Sequence, residues 1–519
     1  MKPPLRLVVP TVIFAVVVLA CGWVSDDAFI TLRTLEHALQ GYGLRWNIDE
    51  RVQGYTHPLW ALLLLAVGAV TREWLITTTL LGVVVSSAAV LLLLIQQPSP
   101  SWRRTLWLTA LMVLSKSLVS YSTSGLENPL THLLLAVAFL LHRNKSTTAG
   151  PPLWQTALLT CLAMLNRMDL VLLFGPLLAT ETIKAWVAPR RWRELGKASL
   201  AFAPLLAWEA FSLLYYGSLV PNTAYAKLSM GVPQGLLWQQ GLRYFEFVAT
   251  WDPLTLAVIA LGLIVPLARR QWRHAPWVLG MTLYLVYVLR IGGDFMAGRF
   301  FAAPFFCALL LLGSQDSALD LDLRARPTWA LLPLPLLGLF SVAGTPWKWA
   351  RAAGSEAAKY GVADERVFYY KTTGWLSPDR PKNPEDSYLP GFGAKVRKNG
   401  LKIKLEACVG QVAFYAGPTV HVVDVYGLTE PLLARLPTRE PLRWRIGHFW
   451  RDPPPGYYQD SKIAAPPQIK DPDLAIYYEK LMILAQAPLF APGRLIEIWR
   501  MLGGEYEHHR LAYLARSRR

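Results

Sequence analysis

The recurrence of apolar runs with few or no charges, each near the length needed to cross a lipid bilayer, is the strongest constraint on this chain. Leu5–Val24, Trp74–Ile95, Leu170–Val187, Ala198–Tyr216 and Leu254–Leu267 are blocks of this kind. About 18–20 predominantly apolar helical residues cover about 30 Å of hydrocarbon. Across the 519 residues, 53% are hydrophobic and only 17% charged, fewer charges than a water-soluble enzyme of this length carries. The blocks therefore predict a polytopic α-helical membrane protein rather than a globular one.

The charge pattern gives the expected orientation. The net charge is +17, from 52 Lys and Arg against 35 Asp and Glu. These basic residues do not form a nucleic-acid-binding face. They concentrate in short loops between apolar blocks, as cytoplasmic loops do, and in the C-terminal third. The loop clusters are Lys2/Arg6, Arg103/Arg104, Arg143/Lys145, Arg190/Arg191/Arg193/Lys197, Arg269/Arg270/Arg273 and Arg324/Arg326. Clusters on one side of a membrane must be separated by even numbers of spans.

From Arg103 onward the apolar blocks pair accordingly, at 105–121 with 128–142, 153–167 with 169–188, 198–216 with 251–268, and 275–290 with 300–313. A final block, 328–345, leaves the rest of the chain outside. Between Lys2 and Arg103 lie three blocks, 5–24, 57–70 and 74–95, and an odd number breaks the parity. The middle one starts at Pro58 and is short for a span, so residues 26–73 read as an outer loop containing an interfacial helix. The prediction is about eleven transmembrane helices with the N-terminus cytoplasmic. A cleaved lipoprotein leader ending at Val18-Leu19-Ala20-Cys21 is the alternative for the N-terminus; it removes one span.

With this orientation the polar, motif-like segments fall on the outer side. The division predicted is 1–345 as a transmembrane domain and 346–519 as a soluble mixed α/β extracytoplasmic domain, with 346–371 as a helical connector. In the second domain, Cys408–Ala416 and Val420–Tyr426, joined by Gly417-Pro418, read as a strand pair. Cys21, Cys161, Cys307 and Cys408 show no metal or redox spacing. His57, His421 and His448 are too scattered for a metal motif, and the 21 Trp and 21 Tyr suit an interfacial belt.

Asp26-Asp27, at the outer end of the first span, is the candidate chemical centre. Two adjacent carboxylates can supply a general base with a neighbour that orients it or raises its pKa, hold a cation, bind a cationic substrate, or cap the following helix. Arg33, His57, Lys227 and Arg299 are the candidate donor- and phosphate-binding residues, with Glu127, Arg167, Asp169 and Asp294 in support. A guanidinium suits a phosphate; each basic residue can equally be ion-paired or snorkelling. Lys116 reads as snorkelling. Nothing in the sequence calls for a cofactor, and a divalent cation has no ligand motif behind it.

Several segments, in order along the chain, resemble bacterial terminal arabinofuranosyltransferases with the GT-C fold. They are S-D-D-A-F-I-T-L-R, G-Y-G-L-R-W-N, E-R-V-Q-G-Y-T-H-P-L-W, T-S-G-L-E, P-N-T-A-Y-A-K, G-G-D-F-M-A-G-R, V-D-V-Y-G-L-T-E-P and R-I-G-H. Asn166-Arg167-Met168-Asp169 departs from the pattern, with Met168 where a proline is expected. The resemblance implies a GT-C-like glycosyltransferase of the bacterial inner membrane. It implies a polyprenyl-phosphate-linked arabinofuranose as donor, inverting transfer on the outer side, and a cell-envelope glycan or glycoprotein as acceptor. It implies that Asp26 or Asp27 is the base that deprotonates the acceptor hydroxyl, and that the C-terminal domain binds the acceptor. The rival readings are a lipid-linked glycosyltransferase for another sugar, a lipid-linked sugar transporter, and an envelope scaffold. A transporter typically shows repeats and broken helices, and a scaffold tolerates replacement of both aspartates.

Overall fold

The computed structural model describes residues 4–98, 101–143, 152–314, 333–341 and 360–517. Lys2, Lys145, Arg324, Arg326 and most of the 346–371 connector lie outside the described residues, as does the 328–345 block apart from 333–341. The chain forms two compact units. One comprises the described residues of Met1–Ser25, His57–Leu205 and Gln234–Arg380; the other those of Asp26–Thr56, Leu206–Pro233 and Pro381–Arg519.

The first unit is a bundle of apolar helices. Helices occupy the expected blocks, among them Leu5–Ala20, Pro58–Thr71, Trp74–Ile95, Asn128–Arg143, Leu153–Asn166, Val171–Trp186, Ala275–Arg290 and Ala302–Gly313. Phe14, Leu108, Met112, Leu135, Val258, Phe305 and Phe306 are buried in its core. Where the Pro253–Ala268 helix meets Ala302–Gly313, a Cβ on Gly262 would stand 2.4 Å from that of Ala308. Only glycine allows that approach, as is common where helices pack without water.

Apolar side chains also face outward in stripes. Val9, Val12, Ile13 and Val16 are exposed at helical spacing on the first helix, and Leu279, Leu283 and Val286 on a later one. Such stripes fit a lipid-facing surface. By length and composition, Trp74–Ile95 and Arg191–Tyr216 can each cross a membrane. Gln234–Trp251 with Pro253–Ala268, bent by 110°, forms a third candidate if the pair is one span. The other apolar helices are shorter, so membrane character is supported while the count of about eleven rests on sequence.

Lys116 corrects the expectation of a snorkelling residue. It is buried, its Nζ 5.4 Å from the centroid of the Trp251 ring. Beside it the Asp252 carboxylate accepts hydrogen bonds from Ser117 N and Oγ, both at 2.8 Å, and from Thr255 Oγ1 at 2.6 Å. Polar neighbours inside the bundle replace the interface as the lysine's destination.

The second unit brings together segments distant in sequence. The helix Asp26–Leu39 packs against the helix Val409–Ala416, and Ile30, Trp46, Val396, Val409, Ala413 and Val422 share a small core. Two short strands, β1 (Ile403–Glu406) and β2 (His421–Asp424), pair in parallel with Ile403 opposite His421. A parallel pair needs a crossover, and Val409–Ala416 supplies it as a helix. Cys408–Ala416 is therefore not the strand its β-branched and aromatic residues suggest; the second predicted strand holds as β2. Tertiary contacts override β-propensity here. The helices Pro472–Gln486, Arg494–Leu502 and Glu507–Ser517 close the chain.

Candidate functional site

Asp26 and Asp27 occupy the first turn of the Asp26–Leu39 helix in the second unit. Early acidic residues suit the positive end of a helix dipole, but Asp26 does more than serve its own helix. One carboxylate oxygen accepts from the Gly410 amide at 2.9 Å and the other from the Gln411 amide at 2.7 Å. These amides belong to the first turn of the Val409–Ala416 helix, whose early N–H groups have no partners within it. Asp26 therefore caps a second helix, and its carboxylate holds the two helices together. A Cβ on residue 410 would lie 1.9 Å from the Asp26 carbonyl oxygen, so this junction requires glycine.

Burial pushes the Asp26 carboxyl up to about 7; the Gln411 amide opposes the rise, the Asp27 charge adds to it, and the Gly410 amide opposes it. Asp27 is the more accessible of the pair. The two side chains thus sit in different environments, one buried against amides and one nearer solvent.

Arg33, about two helical turns further on, is fully buried and donates to the carbonyls of Trp46 at 2.9 Å, Gly417 at 3.2 Å, Val420 at 2.9 Å and also Ala413. Its guanidinium lies 5.0 Å from the centroid of the Trp46 ring. Its donors are thus turned mainly to the main chain. Lys227 is exposed, in the last turn of the Asn222–Leu228 helix of the same unit. That helix is anchored by Asn222, whose Nδ2 donates to the carbonyls of Gly427 at 3.0 Å and of Leu428 and Glu430, both at 3.1 Å.

In the first unit the remaining predicted residues converge on Glu127. Its buried carboxylate lies 2.9 Å from Arg167 Nη1, 3.3 Å from Arg299 Nη2 and 3.3 Å from His57 Nδ1. Arg167 also reaches Asp169 at 2.5 Å, and Arg299 lies 3.6 Å from Asp294. Burial opposes ionisation of Glu127, but Arg299, Arg167 and His57 outweigh it and hold the carboxyl well below its usual range. Burial drives the His57 imidazole down to about 4, against the pull of Glu127 and helped by Arg299 and Arg167. His57 is neutral at pH 7. Three carboxylates then face two guanidiniums, one negative charge in excess. His57, Arg167 and Arg299 thus stand against carboxylates of the protein itself, in an internally paired polar knot.

Sequence reasoning did not find Gly410 and Gln411, the partners of Asp26. Their segment, Cys408-Val409-Gly410-Gln411, was masked by the β-prone residues that follow it.

Comparison with known proteins points to a glycosyltransferase. The chain is similar to the terminal beta-(1->2)-arabinofuranosyltransferase of Mycobacterium tuberculosis, with 29% identity across 82% of this chain and 80% of that protein. It is also similar to the terminal beta-(1->2)-arabinofuranosyltransferase of Corynebacterium glutamicum, with 28% identity across 70% of this chain. That second match spans 57% of the relative's own length, less than two thirds. No protein-family model matches, and no solved structure matches.

Proposed function

We propose that this protein transfers an arabinofuranosyl residue from a polyprenyl-phosphate donor to an extracytoplasmic glycan or glycoprotein, inverting the anomeric centre. The ordered likeness to two terminal arabinofuranosyltransferases carries this reading. In it the chain spans the bacterial inner membrane about eleven times, with the acidic pair and residues 346–519 outside, the latter contacting the acceptor.

Asp27 is the general base in this proposal, and Asp26 is the positioning residue. Both oxygens of Asp26 are engaged by amides, whereas Asp27 is the more accessible carboxylate on the same turn. The donor carries a phosphodiester leaving group, so the protein has mainly to orient the acceptor, accept its hydroxyl proton and stabilise the departing phosphate. Asp27 takes the proton as the acceptor oxygen attacks the anomeric carbon and the bond to the polyprenyl phosphate breaks. Lys227, exposed in the same unit, supplies positive charge toward that phosphate. The Glu127 knot holds His57, Arg167 and Arg299 in fixed positions within its own unit.

The test is transfer from synthetic polyprenyl-phospho-arabinofuranose to an arabinan oligosaccharide by the purified protein in detergent. Product with an inverted anomeric centre supports the proposal. Transfer of another sugar in preference to arabinofuranose, or full activity in Asp27→Asn, overturns it.

A further inference from the structure

Away from the acidic pair, the second unit holds a buried group of oxygen and nitrogen ligands that no step above uses. Glu50, His421 and Glu430 place one ligand atom each within 4.8 Å of the other two. Three atoms so placed fit inside a sphere of about 2.8 Å radius, so small side-chain rotations bring all three to the roughly 2.0–2.2 Å that a first-row divalent ion requires. The three come from different segments, namely the loop after Asp26–Leu39, the start of β2 and the turn beyond it.

The surroundings are those of a ligand set rather than of chance neighbours. Glu50 and Glu430 are 2% and 1% exposed, and among the described residues neither is ion-paired to a lysine or arginine. Two buried carboxylates without a cation are costly. Glu430 receives a hydrogen bond from the Tyr457 hydroxyl on Oε1, while its buried Oε2 has no hydrogen-bond partner. Glu50 is held by Asn47 Nδ2 at 3.1 Å, and Asn47 is itself fixed by the Val422 amide, which donates to its Oδ1 at 3.0 Å. His421 Nδ1 faces the Asp49 carboxylate at 3.1 Å. Its other nitrogen, Nε2, points toward Asn47, 3.4 Å away. A carboxylate behind the imidazole fixes the tautomer and orients the other nitrogen, as in protein metal sites.

We propose that Glu50, His421 and Glu430 bind one divalent first-row cation, Mn2+ or Zn2+, which ties the 47–50 loop to β2 and to the turn ending at Glu430. One imidazole and two carboxylates suit such an ion, and its two positive charges balance the two glutamates. The site is independent of the glycosyl-transfer reading and stands or falls without it.

The full-length protein in detergent, stripped with chelator, is titrated with MnCl2 and separately with ZnCl2. Binding is read by calorimetry, and the Mn2+ form by pulsed electron paramagnetic resonance. One ion per chain, nitrogen modulation from a single imidazole and a raised unfolding temperature are expected. Glu430→Gln and Glu50→Gln should each weaken binding at least tenfold, and His421→Gln should abolish the nitrogen modulation. No binding of either ion to the wild-type protein at millimolar concentration overturns the proposal. So does a bound Mn2+ without nitrogen modulation, or undiminished binding in the glutamine variants. The wild-type measurements decide the matter even where a variant fails to fold.

Discussion

Changing Asp26 and Asp27 one at a time is expected to produce two different failures. Asp27→Asn removes the proposed base, and turnover should fall by roughly 100-fold or more while thermal unfolding stays near wild type. Asp26→Asn sets an amide NH2 against one of the two backbone N–H groups, which costs about 1–3 kcal/mol; a lowered unfolding temperature accompanies any loss of activity. His57 titrates in a direction that can be read. Its ordinary value is 6.5, and in the folded protein it is held near 4, so between these values the unfolded chain binds a proton that the folded one refuses. Stability from this residue is full above pH 6.5 and drains away as pH falls toward 4, by about 3 kcal/mol at most. His57→Gln should therefore flatten the acid limb of unfolding temperature against pH, and an unchanged limb counts against the buried neutral imidazole. The acidic pair stood out in the sequence because two charges at a membrane boundary are conspicuous. That Arg33 is engaged by carbonyls was not legible, since a basic residue reads alike whether its partner is a ligand or the chain itself.

The helix Val409–Ala416 is the element where sequence and structure part most clearly. Val412, Phe414 and Tyr415 favour a strand, yet the segment is the crossover of a parallel pair and begins on the amides that Asp26 caps. The deciding contact lies more than 380 residues away in the chain, beyond any local pattern. Gly410→Ala tests this junction directly. Its Cβ would meet the Asp26 carbonyl at 1.9 Å, and a loss of about 3 kcal/mol or more is expected, read as a fall in unfolding temperature. The apolar helices were far more legible, because an uncharged run announces itself without reference to any partner; Trp74–Ile95 and Ala275–Arg290 match their predicted blocks at both ends.

At the scale of the molecule, the charge-parity orientation makes its own prediction. A phosphatase reporter fused after Arg104 should be inactive because it stays in the cytoplasm, and one fused after Tyr216 should be active outside. The opposite pattern overturns the proposed topology. The second unit adds a constraint of another kind, since its parts come from 26–56, 206–233 and 381–519. During translation Asp26 leaves the ribosome early, and its capping partners at 410 and 411 follow only after most of the chain is made. For that interval the Asp26–Leu39 helix lacks its clamp. Completion of this junction is thus deferred to a late moment in biogenesis, and a nascent chain that stalls before residue 410 is left with Asp26 lacking its amide partners.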